Sequence, residues 1–209
     1  MNRALVARQF NEKKLVIATH NKGKLKEISA LVVPFGINVI PPDELNIPEP
    51  IENGKTFIEN AKIKASSAVL NSGKTSLSDD SGLVVPALNG APGIYSARWA
   101  GPEKNFTAAM NRLNKELGDK DQRAFFVAAL VIMWPDGHIE SFEGTVHGKL
   151  VWPPRGNLGF GYDPMFLPNG HNKTFGEFTP DEKHLHSHRS NAFNQLATAC
   201  LCGRKRLVR

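Results

Sequence analysis

Cysteine is scarce in this chain, with two in 209 residues, Cys200 and Cys202. They stand two apart near the end of an expected helix, so their side chains point to different faces and form a poor disulfide pair. No further ligands for a Cys-x-Cys metal site lie near them in sequence. That excludes a disulfide scaffold and suits free thiols in a reducing cytosol. Long apolar runs are missing as well. None approaches the roughly 20 residues that span a bilayer, and MNRALVARQFNEKK at the start holds no secretory core. The expectation is a cytoplasmic protein with no membrane partner. Internal repeats and low-complexity stretches are absent too.

Acid is missing from the C-terminal end, where Arg204, Lys205, Arg206 and Arg209 stand without a counter-charge. Arg3, Arg8, Lys13 and Lys14 face only Glu12 at the other end. The two ends therefore hold all of the net charge of +6, and the body is close to neutral. A nucleic-acid groove needs basic residues spread over a folded face, so no nucleic-acid partner is expected. Residues 1–13 and 204–209 read as solvated basic tails. Residues 14–203 read as a single domain, long enough to fold without metal or disulfide.

What is present alternates between strand and helix patterns. Residues 14–19 (KLVIAT) read as a buried strand that breaks at His20-Asn21-Lys22-Gly23. A helix follows over 24–33, ended by Pro34 and Gly36, and a second strand over 37–40. This order is the α/β signature. Thr56-x-x-Glu59 is a capping box that starts a helix, with Gly73 past its end. Residues 75–78 read as a short strand running into the turn Asp79-Asp80-Ser81-Gly82. The long loop 86–101 precedes a helix over 102–117. Two strands, 123–134 and 138–146, meet at Pro135-Asp136-Gly137. Thr179-Pro180-Asp181-Glu182 starts a last helix, with a break or fresh cap expected at Ser187.

Five clusters carry chemistry. Thr19 to Lys24 lies between a strand and a helix N-terminus, where free N–H groups, the dipole and Lys24 favour phosphate. It is not a P-loop, and an ordinary turn with surface lysines is the plain alternative. Asp79 and Asp80 repel one another unless a cation compensates. Alternation along a strand sends them to opposite faces, one to the chemistry and one behind it. Among Glu49, Glu52 and Glu59, the last is explained by its cap and Glu52 has no local task, which makes it the better metal candidate. Gly159-Phe160-Gly161-Tyr162-Asp163-Pro164 allows a base to stack on a ring with backbone close by. Lys183 to Arg189 alternates histidines. At helical spacing His184 and His188 share a face, and a Lys/His/Arg donor set is favoured over metal.

Six ordered stretches together resemble the inosine/xanthosine triphosphate pyrophosphatase family. They are ATHNKGK (18–24), TFIENAKIKA (56–65), SDDSGL (78–83), GAPGIYSARWAG (90–101), GFGYDP (159–164) and SHR (187–189). The resemblance spans residues 14 to 200. It implies a long twisted mixed sheet flanked by helices, two lobes with the active cleft between them, a homodimer, and magnesium. It implies hydrolysis of aberrant purine triphosphates (ITP, dITP, XTP) to the monophosphate and pyrophosphate by water attack at the α-phosphorus. By matching motifs, Thr19, His20, Asn21, Lys22, Gly23, Lys24 and Lys64 would hold phosphates. Asp80 would be general base and magnesium partner. Ser81, Phe160, Gly161, Tyr162, Asp163, Lys183, His188 and Arg189 would surround the nucleotide. Family members often carry two adjacent acids before the glycine matching Gly54, and here Glu52 stands alone as the second metal candidate. Two other readings stay open: a pyrophosphatase for pyrimidine or otherwise modified nucleotides, and a nucleotide-binding module without catalysis.

Overall fold

The computed structural model describes residues 7–204. In chain order the elements are β1 (Lys14–Ala18), α1 (Lys22–Val32), β2 (Asn38–Ile40), α2 (Phe57–Ser72), β3 (Ser76–Val84), α3 (Phe106–Leu117), β4 (Arg123–Met133), β5 (Ile139–Leu150), β6 (Phe166–Pro168), α4 (Pro180–His186) and α5 (His188–Cys200), with short 3-10 turns between them. The strands form one six-stranded sheet in the order β2-β1-β3-β4-β5-β6. β1 runs parallel to β2 and β3, while β5 and β6 are antiparallel, so the sheet is mixed. The α/β class expected from the sequence is the class observed. β4 reads RAFFVAALVIM and is buried along nearly its whole length. A continuous apolar run of this kind belongs to a strand covered on both faces.

The chain divides into two compact units. The first takes the described parts of Met1–Asp80, Ala129–Gly144 and Arg189–Arg209. Its core sets Ala61 and Ala65 of α2 against Ala129 and Val131, with Val16, Ala18, Ile40, Ile47 and Ala68 in a neighbouring cluster. The alanines on α2 are small enough for a helix backbone to lie close to strands. The second unit takes Ser81–Ala128 and Thr145–His188. Its core is aromatic, with Phe126, Phe166, Phe175 and Phe178 beside Leu113 and Leu117 of α3. Phe126 and Phe166 meet edge to face at 4.7 Å between centroids, the geometry that the ring quadrupole favours.

Three sequence expectations change. β3 does not turn at Asp79-Asp80-Ser81-Gly82 but continues to Val84, because Leu77 and Leu83 are both fully buried and extended backbone carries both into the core. α3 starts at Phe106 rather than at residue 102, since Asn105 is the cap and its side chain accepts the Ala108 N–H. The solvated tails give way in residues 7–12 and at Arg204. Phe10 is 1% exposed and donates its N–H to the Cys200 carbonyl. The Arg204 guanidinium lies over the Phe10 ring and donates to the carbonyls of Phe10, Glu12 and Phe35. Burying a phenylalanine stabilises by about 1.5–3 kcal/mol, enough to hold a terminus down. Residues 1–6 and 205–209 of the expected tails lie outside the described residues. No helix among the described residues is long and apolar enough to cross a membrane.

Candidate active site

In the first unit the candidate residues gather around β3. Asp79 is fully buried. Arg189 donates from Nε to Asp79 Oδ2 at 2.9 Å and from Nη2 to Oδ1 at 3.3 Å, and Lys24 Nζ stands 2.7 Å from Oδ1. Arg189 also donates to Glu27 of α1. Burial alone would raise the Asp79 carboxyl, but Arg189 and Lys24 outweigh it and hold it far below the usual carboxylate range. The same burial pulls the Lys24 ammonium down from its ordinary value, against the pull of Asp79.

Asp80, one residue on, has different partners. Lys64 Nζ lies 2.8 Å from Asp80 Oδ1 and 2.7 Å from Glu52 Oε1, so one ammonium bridges two carboxylates. Asn60 Nδ2 donates to Asp80 Oδ2 at 3.4 Å. Burial pushes the Asp80 carboxyl above its ordinary value despite Lys64 and Lys24. A carboxylate raised in this way is a better proton acceptor than a solvated one.

Local sequence explains the arrangement. Thr56 caps α2 by accepting the Glu59 N–H. Asn60 and Lys64, four apart on that helix, then share one face. Asn60 Oδ1 accepts the Gly54 N–H at 2.8 Å and so pins the loop that carries Glu52. A Cβ on Gly54 would sit 2.7 Å from Asn60 Oδ1, hence the glycine. Asn60, Glu27 and Gly54 were not among the expected site residues. The i, i+4 spacing of Asn60 and Lys64 is the signal that would have found the first of them.

The β1–α1 turn differs from expectation in one respect. Asn21 is the cap of α1, and its Oδ1 accepts the N–H groups of both Gly23 and Lys24. These two donors are already taken, and Gly23 lies in the first helical turn. The charge offered here is therefore that of the Lys24 side chain more than of the backbone. Thr19 is buried and its Oγ1 accepts the Asn21 N–H, His20 Nε2 bonds the Ile47 carbonyl, and Lys22 is exposed.

The second unit holds the other set. Asp163 is buried; its Oδ2 accepts the Phe160 N–H at 2.7 Å and pairs with Lys183 of α4. That carboxylate closes the turn Gly159–Asp163. A Cβ on Gly159, which also has φ 73°, would meet Asp163 Oδ2 at 2.2 Å. Lys183 Nζ lies 4.6 Å from the centroid of the half-buried Phe160 ring, a cation–π contact. The buried Tyr162 hydroxyl donates to the Ser96 carbonyl, and burial keeps the phenol protonated well past its usual range. Ser81 is half-buried on β3. His188 is buried and stacks on Phe126, centroids 4.8 Å apart.

One expectation about the run from Lys183 to Arg189 is corrected. Arg189 is 1% exposed and pairs with Asp79 and Glu27, and its expected place beside the nucleotide rests on the family resemblance. His184 and His188 do not share a helix face, because α4 ends at His186 and Ser187 is extended, as the expected break required. No group of three or more His, Cys, Asp and Glu side chains that could hold a metal occurs among the described residues. Magnesium, however, needs one or two carboxylates and takes its remaining ligands from water and phosphate. Asp80 and Glu52, converging on one cationic nitrogen, fit that requirement.

The Ham1 family model matches residues 15–199. The chain is 52% identical over 198 residues to a dITP/XTP pyrophosphatase of Zymomonas mobilis, covering 93% of this chain and 95% of that one. It is 54% identical over 197 residues to a dITP/XTP pyrophosphatase of Rhodospirillum centenum, covering 92% and 97%. Among solved structures, a HAM1 protein from Coxiella burnetii superposes with a TM-score of 0.82 at 37% identity, over 90% of this chain and 98% of that one. An α/β protein with a mixed sheet and an acid pair on a central strand is the class that fold and site define. Within it, the chain belongs to the Ham1 family, the assignment that the six motifs led to.

Proposed function

We propose that this protein is a nucleoside-triphosphate pyrophosphatase that hydrolyses dITP, ITP and XTP to the monophosphate and pyrophosphate with magnesium. The observation that carries the reading is the convergence of Asp80 and Glu52 on the Lys64 ammonium, in a chain half identical to dITP/XTP pyrophosphatases. Asp80 and Glu52 would hold magnesium, which would supply positive charge to offset the negative charge that develops at phosphorus. Asp80 orients a water and takes its proton. The water oxygen bonds to the α-phosphorus, the α–β anhydride bond breaks, and its electron pair leaves on pyrophosphate. Lys24 and Lys64 supply positive charge for the phosphates, with Thr19, His20, Asn21, Lys22 and Gly23 shaping the turn. Phe160, Gly161, Tyr162, Asp163, Lys183, Ser81 and His188 serve the nucleoside. The 6-oxo group of hypoxanthine or xanthine offers an acceptor where adenine offers an amine, and an unmatched buried donor costs roughly 1–3 kcal/mol.

The reading also takes the enzyme to be a homodimer, as the family resemblance implies, and cytosolic. The free thiols of Cys200 and Cys202 accord with a reducing compartment. The test is pyrophosphate release from inosine, xanthosine, guanosine and adenosine triphosphates with and without magnesium. Fast release from the first two, dependent on magnesium, is expected. Equal release from all four, or a preference for pyrimidine triphosphates, would replace the substrate assignment. No release from any would leave a binding module.

A further inference from the structure

Lys64 occupies the place that a cation between Glu52 and Asp80 would take. Its Nζ lies 2.7 Å from one carboxylate and 2.8 Å from the other, and the residue is 8% exposed. Two carboxylates this close repel unless a positive charge sits between them. Without a metal, that charge is supplied by α2 itself. A divalent cation seated between the two carboxylates on Asp80 Oδ1 and Glu52 Oε1 would take the oxygens that the ammonium now holds, and its entry there moves Lys64 off. The flexible four-carbon stem of lysine allows that.

We propose that Lys64 is a built-in counter-cation of the metal site, one that competes with the free divalent ion and gives way when a triphosphate offers its ammonium a new anionic partner. The protein then binds a lone divalent cation weakly and the metal–triphosphate complex well. Lys64 couples the two ligands, because moving it off the carboxylates and onto phosphate is a single event. The inference rests on the assignment of Glu52 and Asp80 as the metal carboxylates. It adds an order to their filling, in which metal and nucleotide arrive together.

The experiment measures free Mn2+ by electron paramagnetic resonance as the ion is titrated into full-length protein without nucleotide. Wild type is compared with Lys64→Met, Lys64→Gln, Glu52→Gln and Asp80→Asn, with thermal melts of each. Removing a buried positive charge from beside both carboxylates should tighten Mn2+ by about tenfold or more in the Met and Gln variants. Their metal-free melting temperature should fall below wild type and be restored by Mn2+ more than wild type is. Gln keeps a hydrogen-bonding head and serves if Met does not fold. Loss of Mn2+ binding in Glu52→Gln and Asp80→Asn, with unchanged or weaker binding in both Lys64 variants, would overturn the counter-cation role and leave the metal site standing. Mn2+ binding unaffected by Glu52→Gln and Asp80→Asn would overturn the metal assignment, and this inference with it.

Discussion

The two faces of β3 carry neighbouring aspartates that differ in almost every physical respect. On one face Asp79 is locked between Arg189 and Lys24, with Glu27 closing the set. The named pairs there set two cations against two carboxylates, with Asp79 and Arg189 fully buried. On the other face Asp80 and Glu52 both pair with the Lys64 ammonium, and Lys24 acts on Asp80 as well. The first is a structural knot, held ionised at any physiological pH. The second contains a carboxyl that burial raises toward basicity. A buried acid that is fully compensated contributes to the fold, whereas one left partly compensated is available for a ligand and a proton.

The largest effect should come from breaking the knot. Asp79→Asn leaves Arg189 and Lys24 buried without their shared carboxylate, and the expected loss is about 3–5 kcal/mol of folding stability. Urea unfolding measures it. A variant as stable as wild type would show that the two faces are not different in kind. Asp80→Asn should do the reverse, because Lys64 keeps Glu52 as a partner. Turnover should drop by roughly 10² or more, the usual scale for a lost general base, while the melting temperature stays near wild type. If Asp79→Asn were folded and inactive while Asp80→Asn kept most of its rate, the roles would be exchanged.

A smaller change tests how Lys24 is delivered to Asp79. Asn21→Ala removes the α1 cap and should cost about 1 kcal/mol, with relative rates on inosine and adenosine triphosphates unaltered. A changed base preference would place Asn21 on the nucleoside instead. The mildest probe is the thiol of Cys200, at the end of the helix that begins with His188 and Arg189. Burial, with Glu140 and Cys202 nearby, pushes it up to about 12. Its folded value lies above the unfolded one, so its contribution to stability is present below about 9 and fades as pH climbs toward 12. Under a thiol reagent at neutral pH the exposed Cys202 should react first, and Cys200 only on unfolding. Asp79→Asn, by loosening α5, should hasten Cys200. Equal reactivity of the two thiols in wild type would refute the burial argument.

Much of the local structure was legible in the chain, because it depends on neighbours in sequence. Thr56 and Thr179 announced their helices through a hydroxyl three residues before a glutamate, and Ser187 announced a break. These are contacts within one turn, and chain geometry alone sets them. The opposite orientation of Asp79 and Asp80 followed from the period of two in a strand. Where β3 ended did not follow, since Ser81-Gly82 is a turn by composition and becomes strand only because Leu83 is drawn into the core.

The sequence by itself determined the family, through six motifs in order, and the candidate acids, through residue type and alternation. Tertiary structure decided which cation meets which acid. Arg189 lies 110 residues from Asp79, and nothing local distinguishes an arginine bound for a ligand from one bound for a buried carboxylate. Phe10 likewise looked like part of a solvated tail until the end of α5 supplied its partner carbonyl. Electrostatic pairing in a protein interior is settled by distance and burial, and both are properties of the folded chain.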